Sequence, residues 1–355
     1  MDPLRLLNAI KDHNVQLANE ILDSEDVEDI INEQNNSHKT ALYYAVKNKY
    51  YDLIKKILNV PTVDPNLGLE EGRHPITQAW ITDDARSYEM LIDAGVEPWN
   101  LFENVSEEPV VSVIIENKPN ILIYYLTENP DLVEIGEVLE DDTLLALAMR
   151  ENVSIEIGQI LIDHGSYVNA ITEENRVLLA AVDNIEWAKL LIENGANVNY
   201  QKIGGPAPID HFIQFGSDEM IIYLLDHGAN PWMRNNNGNI PAEYYFLMCS
   251  LNVLEHIFKT YGNGKRTGFP AMLINHINDM NENWIVNRYT DILDRIKLSF
   301  YYGLTFDYKQ FTNLQLKEKS EDLIDSLRFS LVELSRRSMI INKIDTSSIP
   351  STLFE

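Results

Sequence analysis

Apolar residues recur along this chain in short helical bursts. Leu53, Ile54, Ile57 and Leu58 recur at three- and four-residue intervals, which puts them on one helix face. Two kinds of breaker punctuate the bursts. The first follows an apolar helix: Asp93-Ala-Gly-Val-Glu-Pro98, Asp163-His-Gly-Ser-Tyr-Val-Asn169, Glu193-Asn-Gly-Ala-Asn-Val-Asn199 and Asp226-His-Gly-Ala-Asn-Pro231. The second opens a helix: Thr40-Ala-Leu-Tyr-Tyr-Ala45, His74-Pro-Ile-Thr-Gln-Ala79, Glu108-Pro-Val-Val-Ser-Val113, Thr143-Leu-Leu-Ala-Leu-Ala148, Ala207-Pro-Ile-Asp-His-Phe212 and Ile240-Pro-Ala-Glu-Tyr-Tyr245. Gly195 to Gly228 is 33 residues, Pro75 to Pro109 is 34, and Gly95 to Gly165 is 70, or two units of 35. A period of this length predicts stacked helix–turn–helix units, because one unit cannot bury its apolar face alone.

The local chemistry agrees with that period. Proline in the first helical turn loses no hydrogen bond, since that N–H has no partner within the helix. Glycine after the second helix takes the left-handed conformation that ends it. Asn129 stands in for glycine in one unit and tolerates the same conformation.

These residues resemble the ankyrin repeat, whose pattern is a Thr-Pro-Leu-His helix start, a second helix ending in Leu-Leu, and Gly-Ala-Asp-x-Asn. Lys189-Leu-Leu-Ile-Glu-Asn-Gly-Ala-Asn-Val-Asn199 and Ile221-Ile-Tyr-Leu-Leu-Asp-His-Gly-Ala-Asn-Pro231 carry the likeness. It covers residues 3–262 and accommodates eight units, the first a degenerate cap from Pro3 to about Gln34. Few helix starts keep the whole tetrapeptide, and the unit at Arg176-Val-Leu-Leu-Ala-Ala181 is about two residues short. The resemblance implies an all-α solenoid over 1–262 that binds another protein.

Residues 263–355 form a helical C-terminal region. The loop Gly262-Asn-Gly-Lys-Arg-Thr-Gly268 ends the regular array, and helical patterns resume at 270–284, 287–302 and 320–341. They read as an expanded ninth unit plus a capping helix, or as a separate helical domain docked on the array end. A cap is physically required, because the last unit would otherwise expose its apolar face.

Charge adds a property that the pattern does not imply. The chain of 355 residues carries a formal net charge of −27. Residues 263–355 hold 12 basic and 12 acidic residues, so the whole excess lies in 1–262, with 16 basic and 43 acidic. Such a field repels nucleic acid and anionic membranes and attracts basic partners, and it also serves solubility alone. No apolar run reaches bilayer length, the start does not read as a secretory signal, and the single cysteine, Cys249, permits no internal disulfide. The expected setting is the cytoplasm, including the cytosol of a host cell.

Candidate chemistry is sparse. Lys265 sits in a loop like a phosphate loop, but the required glycine five positions before the Gly-Lys pair is Lys259. His164 and His227 precede finger glycines and read as structural or solvent-facing. His211, His256 and His276 have no second His or Cys at metal spacing. Cys249 lies among Tyr, Phe and Met and reads as core. No catalytic residue, metal site or cofactor is expected.

Binding residues are expected on the concave face and the fingers. Trp99 and Trp232 each follow a Pro where a small residue is usual, and each reads either as an interface anchor or as packing against the next unit. The family pattern places Lys47, Asn48, Ile81, Thr82, Ile115, Glu116, Gln214 and Phe215 on the concave face. It places Lys39, Glu71, Arg73, Asn236 and Asn237 at finger tips, with Arg234 beside Trp232. Exposed Ile81, Ile115 and Phe215 would form an apolar strip framed by acid. Asn199 reads as a structural Asn that bonds the finger backbone, or as a hydroxylation target of the kind known in ankyrin repeats. The functional reading is a scaffold for a basic partner protein. The alternatives are an effector or counter-defence inhibitor that sequesters a host protein by imitating polyanion charge, and a small enzyme in 263–355.

Overall fold

The computed structural model describes residues 2–68, 74–96, 109–134, 143–171, 179, 184–201, 207–215, 217–233, 249–262, 275, 277–278 and 289–302. Every regular element among them is helical. The chain divides into two compact units, 1–173 and 174–355, each described by itself below.

The first unit is built from helix pairs. They are α1 (Arg5–Lys11) with α2 (Val15–Leu22), α4 (Ala41–Lys47) with α5 (Tyr51–Leu58), α6 (Pro75–Ile81) with α7 (Ala85–Asp93), α8 (Pro109–Ile115) with α9 (Pro119–Glu128), and α10 (Leu144–Arg150) with α11 (Ile155–Asp163). A short helix, α3 (Val27–Ile30), and a 3-10 turn, Pro130–Glu134, lie between pairs. First helices pack on first helices, α1 on α4, α4 on α6 and α8 on α10. Second helices form an unbroken row, α2, α5, α7, α9 and α11. The core runs lengthwise between the two rows, through Ile10, Ala45, Leu53, Ile54, Tyr88, Leu91, Val113, Ile121, Leu122, Leu145 and Leu161.

The second unit repeats the plan. It contains helices α12 (Ile185–Glu193), α13 (Pro208–Phe215), α14 (Asp218–Asp226) and α15 (Leu251–Tyr261). Helix α13 packs on α14 and α14 on α15, while α16 (Tyr289–Tyr301), inside the expected 287–302 helix, packs on α15. The expected helices at 270–284 and 320–341 lie largely or wholly outside the described residues. Gly165 to Gly195 spans 30 residues, so this unit is three short of the 33 that follow.

Each breaker has a visible job. Thr40 and Thr143 accept the backbone N–H three residues on, at 3.1 Å in both cases, and so satisfy an orphan donor of α4 and α10. Gly95, Gly165, Gly195 and Gly228 sit at φ between 85° and 106° and end the second helices, whereas Asn129, expected to share that conformation, sits at φ −136°. The N–H of the residue after each glycine bonds back five residues, as from Ala196 to the Leu191 carbonyl at 2.9 Å.

First helices end in the same motif without glycine. His13, Lys49, Asp83, Asn117 and Asn152 hold φ between 48° and 62°. The sequence reading missed this row because its members share no residue type. Three of them use their side chains to reach the next pair. Asp83 accepts the N–H groups of Asn120 and Ile121 at 3.0 and 3.1 Å, and so caps α9. Asn117 accepts from the Ser154 N–H and hydroxyl at 3.2 and 2.6 Å, at the start of α11. His13 Nδ1 and the Tyr50 hydroxyl lie 2.7 Å apart.

Candidate partner-binding surface

The last residue of each first helix in unit 1 falls on one exposed row: Lys11, Lys47, Ile81, Ile115 and Arg150. Ile81 is 61% exposed and Ile115 42%. Lys47 and Arg150 are exposed on either side of them, and Thr82 is exposed beside Ile81. Thr82 turns its hydroxyl back to the Gln78 carbonyl at 2.9 Å. Two other expected contact residues hold the scaffold as well. The Asn48 side-chain amide donates to the Ile10 carbonyl at 3.2 Å. Exposed Glu116 accepts the Trp80 indole N–H, which ties α8 to α6.

The remaining expected residues scatter. Half-buried Lys39 folds back with its ammonium 4.6 Å from the Tyr43 ring centre. Gln214 and Phe215 belong to α13, but their side chains lie outside the described residues. So do Trp99, Glu71, Arg73, Arg234, Asn236 and Asn237, together with the Lys265 loop and His276.

Trp232 is half-buried, and its indole N–H donates to the Tyr261 carbonyl at 3.4 Å, at the end of α15. The indole therefore packs on the neighbouring unit. Asn199 donates to the Gly228 carbonyl at 2.9 Å and accepts the Asn230 N–H at 2.8 Å. Asn32 grips the next finger in the same way, through the Thr62 carbonyl at 2.7 Å and the Asp64 N–H at 2.9 Å. An Asn in this place joins consecutive fingers, as the structural reading of Asn199 requires.

The histidines are likewise built in. His164 and His227 point Nδ1 at the carbonyls of Ile160 and Tyr223, both at 2.8 Å, and so add a second bond to carbonyls that already accept a backbone N–H at the helix end. Burial holds His74 down at about 4, so the imidazole is neutral. Cys249 is buried, and desolvation pushes its thiol up to about 12, which leaves it unreactive. Among the described residues no three His, Cys, Asp or Glu side chains gather as metal ligands, and no helix is long and apolar enough to cross a membrane.

Locating the helices shows where the acid lies. Residues 1–173 hold 11 basic and 33 acidic residues. The segments that link one pair to the next, 23–40, 59–74, 94–108, 129–143 and 164–173, carry 20 of the acidic residues and 2 of the basic ones. The helix pairs themselves are close to neutral, with 13 acidic and 9 basic. Near the Ile81–Ile115 row the acids are already engaged. Asp83 caps α9, Glu116 holds Trp80, and buried Asp84 accepts the hydroxyls of Ser87 and Tyr51 at 2.7 and 3.2 Å. Lys11, Lys47 and Lys49 enter no ion pair among the described residues. The row thus sets an apolar pair between Lys47 and Arg150, and Arg150 is ion-paired with Glu151 at 3.6 Å. Sequence reasoning found the isoleucines but missed Arg150 as a row member. It also missed Tyr167, 67% exposed on a finger, whose only signal is an aromatic where neighbouring fingers carry Asn.

No family model matches the chain. A human protein named 2-5A-dependent ribonuclease is 39% identical over 75 residues, which is 20% of this chain and 10% of that protein. Two proteins of Acanthamoeba polyphaga mimivirus, described as ankyrin repeat proteins, also match. R664 is 29% identical over 119 residues, covering 30% of this chain and 74% of its own length. L86 is 34% identical over 84 residues, covering 21% and 15%. The chain thus spans only a tenth to a seventh of two of these relatives. Among solved structures, the human ASB11 ankyrin repeat domain is 16% identical with a TM-score of 0.39, over 64% of this chain and 98% of that one. An ankyrin repeat domain from Acinetobacter baumannii AYE is 25% identical with a TM-score of 0.37, over 53% and 98%. Helix pairs recur in register, closed by glycine and joined finger to finger through Asn32 and Asn199, and the mimivirus relatives carry the same repeat; the chain is an ankyrin-repeat protein.

Proposed function

We propose that this chain holds a basic partner protein against the inner helices and fingers of its array. Ankyrin repeats are in general protein–protein interaction scaffolds. A solenoid suits that work because its stacked units give an extended surface on a rigid frame. The observation that carries the basic partner is the concentration of acid in the linking segments, 20 acidic residues against 2 basic ones in the first unit. Fixed charge of one sign speeds encounter with the opposite sign and excludes like-charged competitors. The array is read as residues 1–262, with 263–355 acting as an expanded unit and cap. Ile81, Thr82, Ile115 and Lys47 are the contact residues. Asn48 and Glu116 support them from below, and Trp232 fixes its own finger.

A second reading is favoured by the same charge and by relatives in a giant virus. In it the chain is an inhibitor that sequesters a host protein by offering a polyanion surface, in the host cytosol. Both readings make the same physical demand. The full chain, immobilised and exposed to lysate from the cell in which it acts, retains proteins with basic surfaces. Raising salt from about 0.15 M to 0.5 M, which shrinks the screening length to a few ångströms, releases them. Retention that ignores salt contradicts the charge-based reading. Retention of a nucleic-acid-binding protein in competition with polyanion distinguishes the inhibitor.

A further inference from the structure

We infer that the exposed row of the first unit receives a segment of the partner that sets carboxylates over Lys11, Lys47 and Lys49 and aliphatic side chains over Ile81 and Ile115. This rests on the partner-protein reading above but not on the partner's net charge.

Two hydrogen bonds gather the lysines. The Asn48 side chain donates to the Ile10 carbonyl at 3.2 Å, and His13 Nδ1 lies 2.7 Å from the Tyr50 hydroxyl. Lys11 falls between Ile10 and His13 in the chain, and Lys47 and Lys49 flank Asn48. The same bonds therefore bring the ends of α1 and α4, with their three lysines, to one place. The Trp80–Glu116 bond does this for Ile81 and Ile115. Helix α4 packs on α6, so the two groups adjoin. The four-carbon stem of Lys47 extends the apolar surface up to its own charge.

These five side chains are free where their neighbours are not. Thr82, Asn48 and Glu116 bond back to the scaffold. Lys11, Lys47 and Lys49 are exposed and make no side-chain hydrogen bond or ion pair among the described residues. The acids of the row are mostly engaged: Asp83 caps α9, Glu116 holds Trp80, and Glu151 pairs with Arg150 at 3.6 Å. Asp12 stands exposed beside Lys11, and Asp52 lies in the first turn of α5, where the helix dipole favours it. Three lysines against these two acids leave a positive place on a chain of net charge −27. The acidic segment 23–40 meets α4 at its other end, about 10 Å away. That exceeds the screening length of about 8 Å at physiological salt, so local charge decides what binds here. A single exposed aliphatic residue needs no explanation. Two at equivalent places in successive helix pairs, beside unpaired lysines, suit a segment that carries carboxylates and aliphatic groups together.

The test uses the full chain and three labelled peptides, read by fluorescence anisotropy. The first carries three glutamates followed by two leucines, separated by Gly-Ser pairs so that successive contacts lie about 10 Å apart along an extended chain. The second has Gln for each Glu, and the third has Ser for each Leu. The protein's net charge disfavours the first peptide against the second, so a preference for glutamate reports the lysines. The first peptide is expected to bind at least about fivefold more tightly than either of the others. Lys11→Gln/Lys47→Gln/Lys49→Gln loses the preference for glutamate and keeps that for leucine. Ile81→Ala/Ile115→Ala does the reverse. All five side chains are exposed, so both variants keep the melting temperature.

A Gln peptide that binds as tightly as the Glu peptide, or preferences that survive their variants, overturn the inference. So does failure of all three peptides to bind, which leaves the basic-partner reading to its own test by salt release. A short single-stranded RNA that displaces the first peptide and is indifferent to Ile81→Ala/Ile115→Ala makes the lysines a phosphate site and overturns it as well.

Discussion

The left-handed residues between paired helices separate two effects that glycine usually merges. An L-residue in that conformation costs about 1–2 kcal/mol. Lys49 bears this cost with an exposed side chain that makes no hydrogen bond or ion pair among the described residues. Asp83 bears it while capping α9 through two backbone N–H groups. Lys49→Gly therefore raises the denaturation midpoint, by up to about 1 kcal/mol after the entropy of glycine in the unfolded chain is subtracted. Asp83→Gly relieves the same conformation but loses a cap worth about 1 kcal/mol, so it ends less stable than Lys49→Gly by about that amount. Equal effects in urea titrations would mean that the Asp83 bonds contribute nothing. At this scale the sequence was half legible. Glycines 95, 165, 195 and 228 announce the ends of second helices by their type. His13, Lys49, Asp83, Asn117 and Asn152 do not, because four residue types fill the place and none marks it. Their recurrence at 34 to 36 residues was the one available signal.

At the scale of elements, the start of α6 carries a titration that the other helices lack. Thr40 and Thr143 cap their helices with a hydroxyl, whereas His74 stands in that place, buried. Its N–H acceptor is Nδ1, at 3.4 Å from the Ile76 nitrogen, and burial lowers its proton affinity from the ordinary 6.5 to about 4. The unfolded chain then binds a proton between those values that the folded chain does not. Stability from this group is complete above pH 6.5 and falls as the pH drops toward 4. The loss amounts to about 3 kcal/mol at most, at 1.4 kcal/mol per pKa unit. His74→Thr restores a hydroxyl cap and removes the loss. Comparing the two proteins by denaturation at pH 6.5 and pH 4 isolates it from the carboxylates that both share. Parallel behaviour would show that the imidazole has room to charge. The helix pairs were legible from the spacing of apolar residues. The assignment of Trp232 to packing was not, because an indole after Pro looks the same in sequence whether its N–H meets a partner or the Tyr261 carbonyl.

For the whole molecule, the sign of the charge was legible from composition but its distribution between helices and linking segments was not. A count over 1–262 describes an acidic array. Once helices are placed, the pairs are near neutral and the linking segments hold the excess. The most direct measurement neutralises acids of the linking segments in the full chain. Glu103→Gln, Glu107→Gln, Glu108→Gln, Glu137→Gln, Glu140→Gln, Asp141→Asn and Asp142→Asn remove seven charges and leave the exposed row intact. Affinity for the captured partner is then measured against salt for both proteins. The charge-based account predicts that the neutralised chain binds at least about tenfold more weakly at 0.15 M salt, with a flatter salt dependence, and that the two proteins converge at high salt. Unchanged affinity with an unchanged salt slope would contradict it.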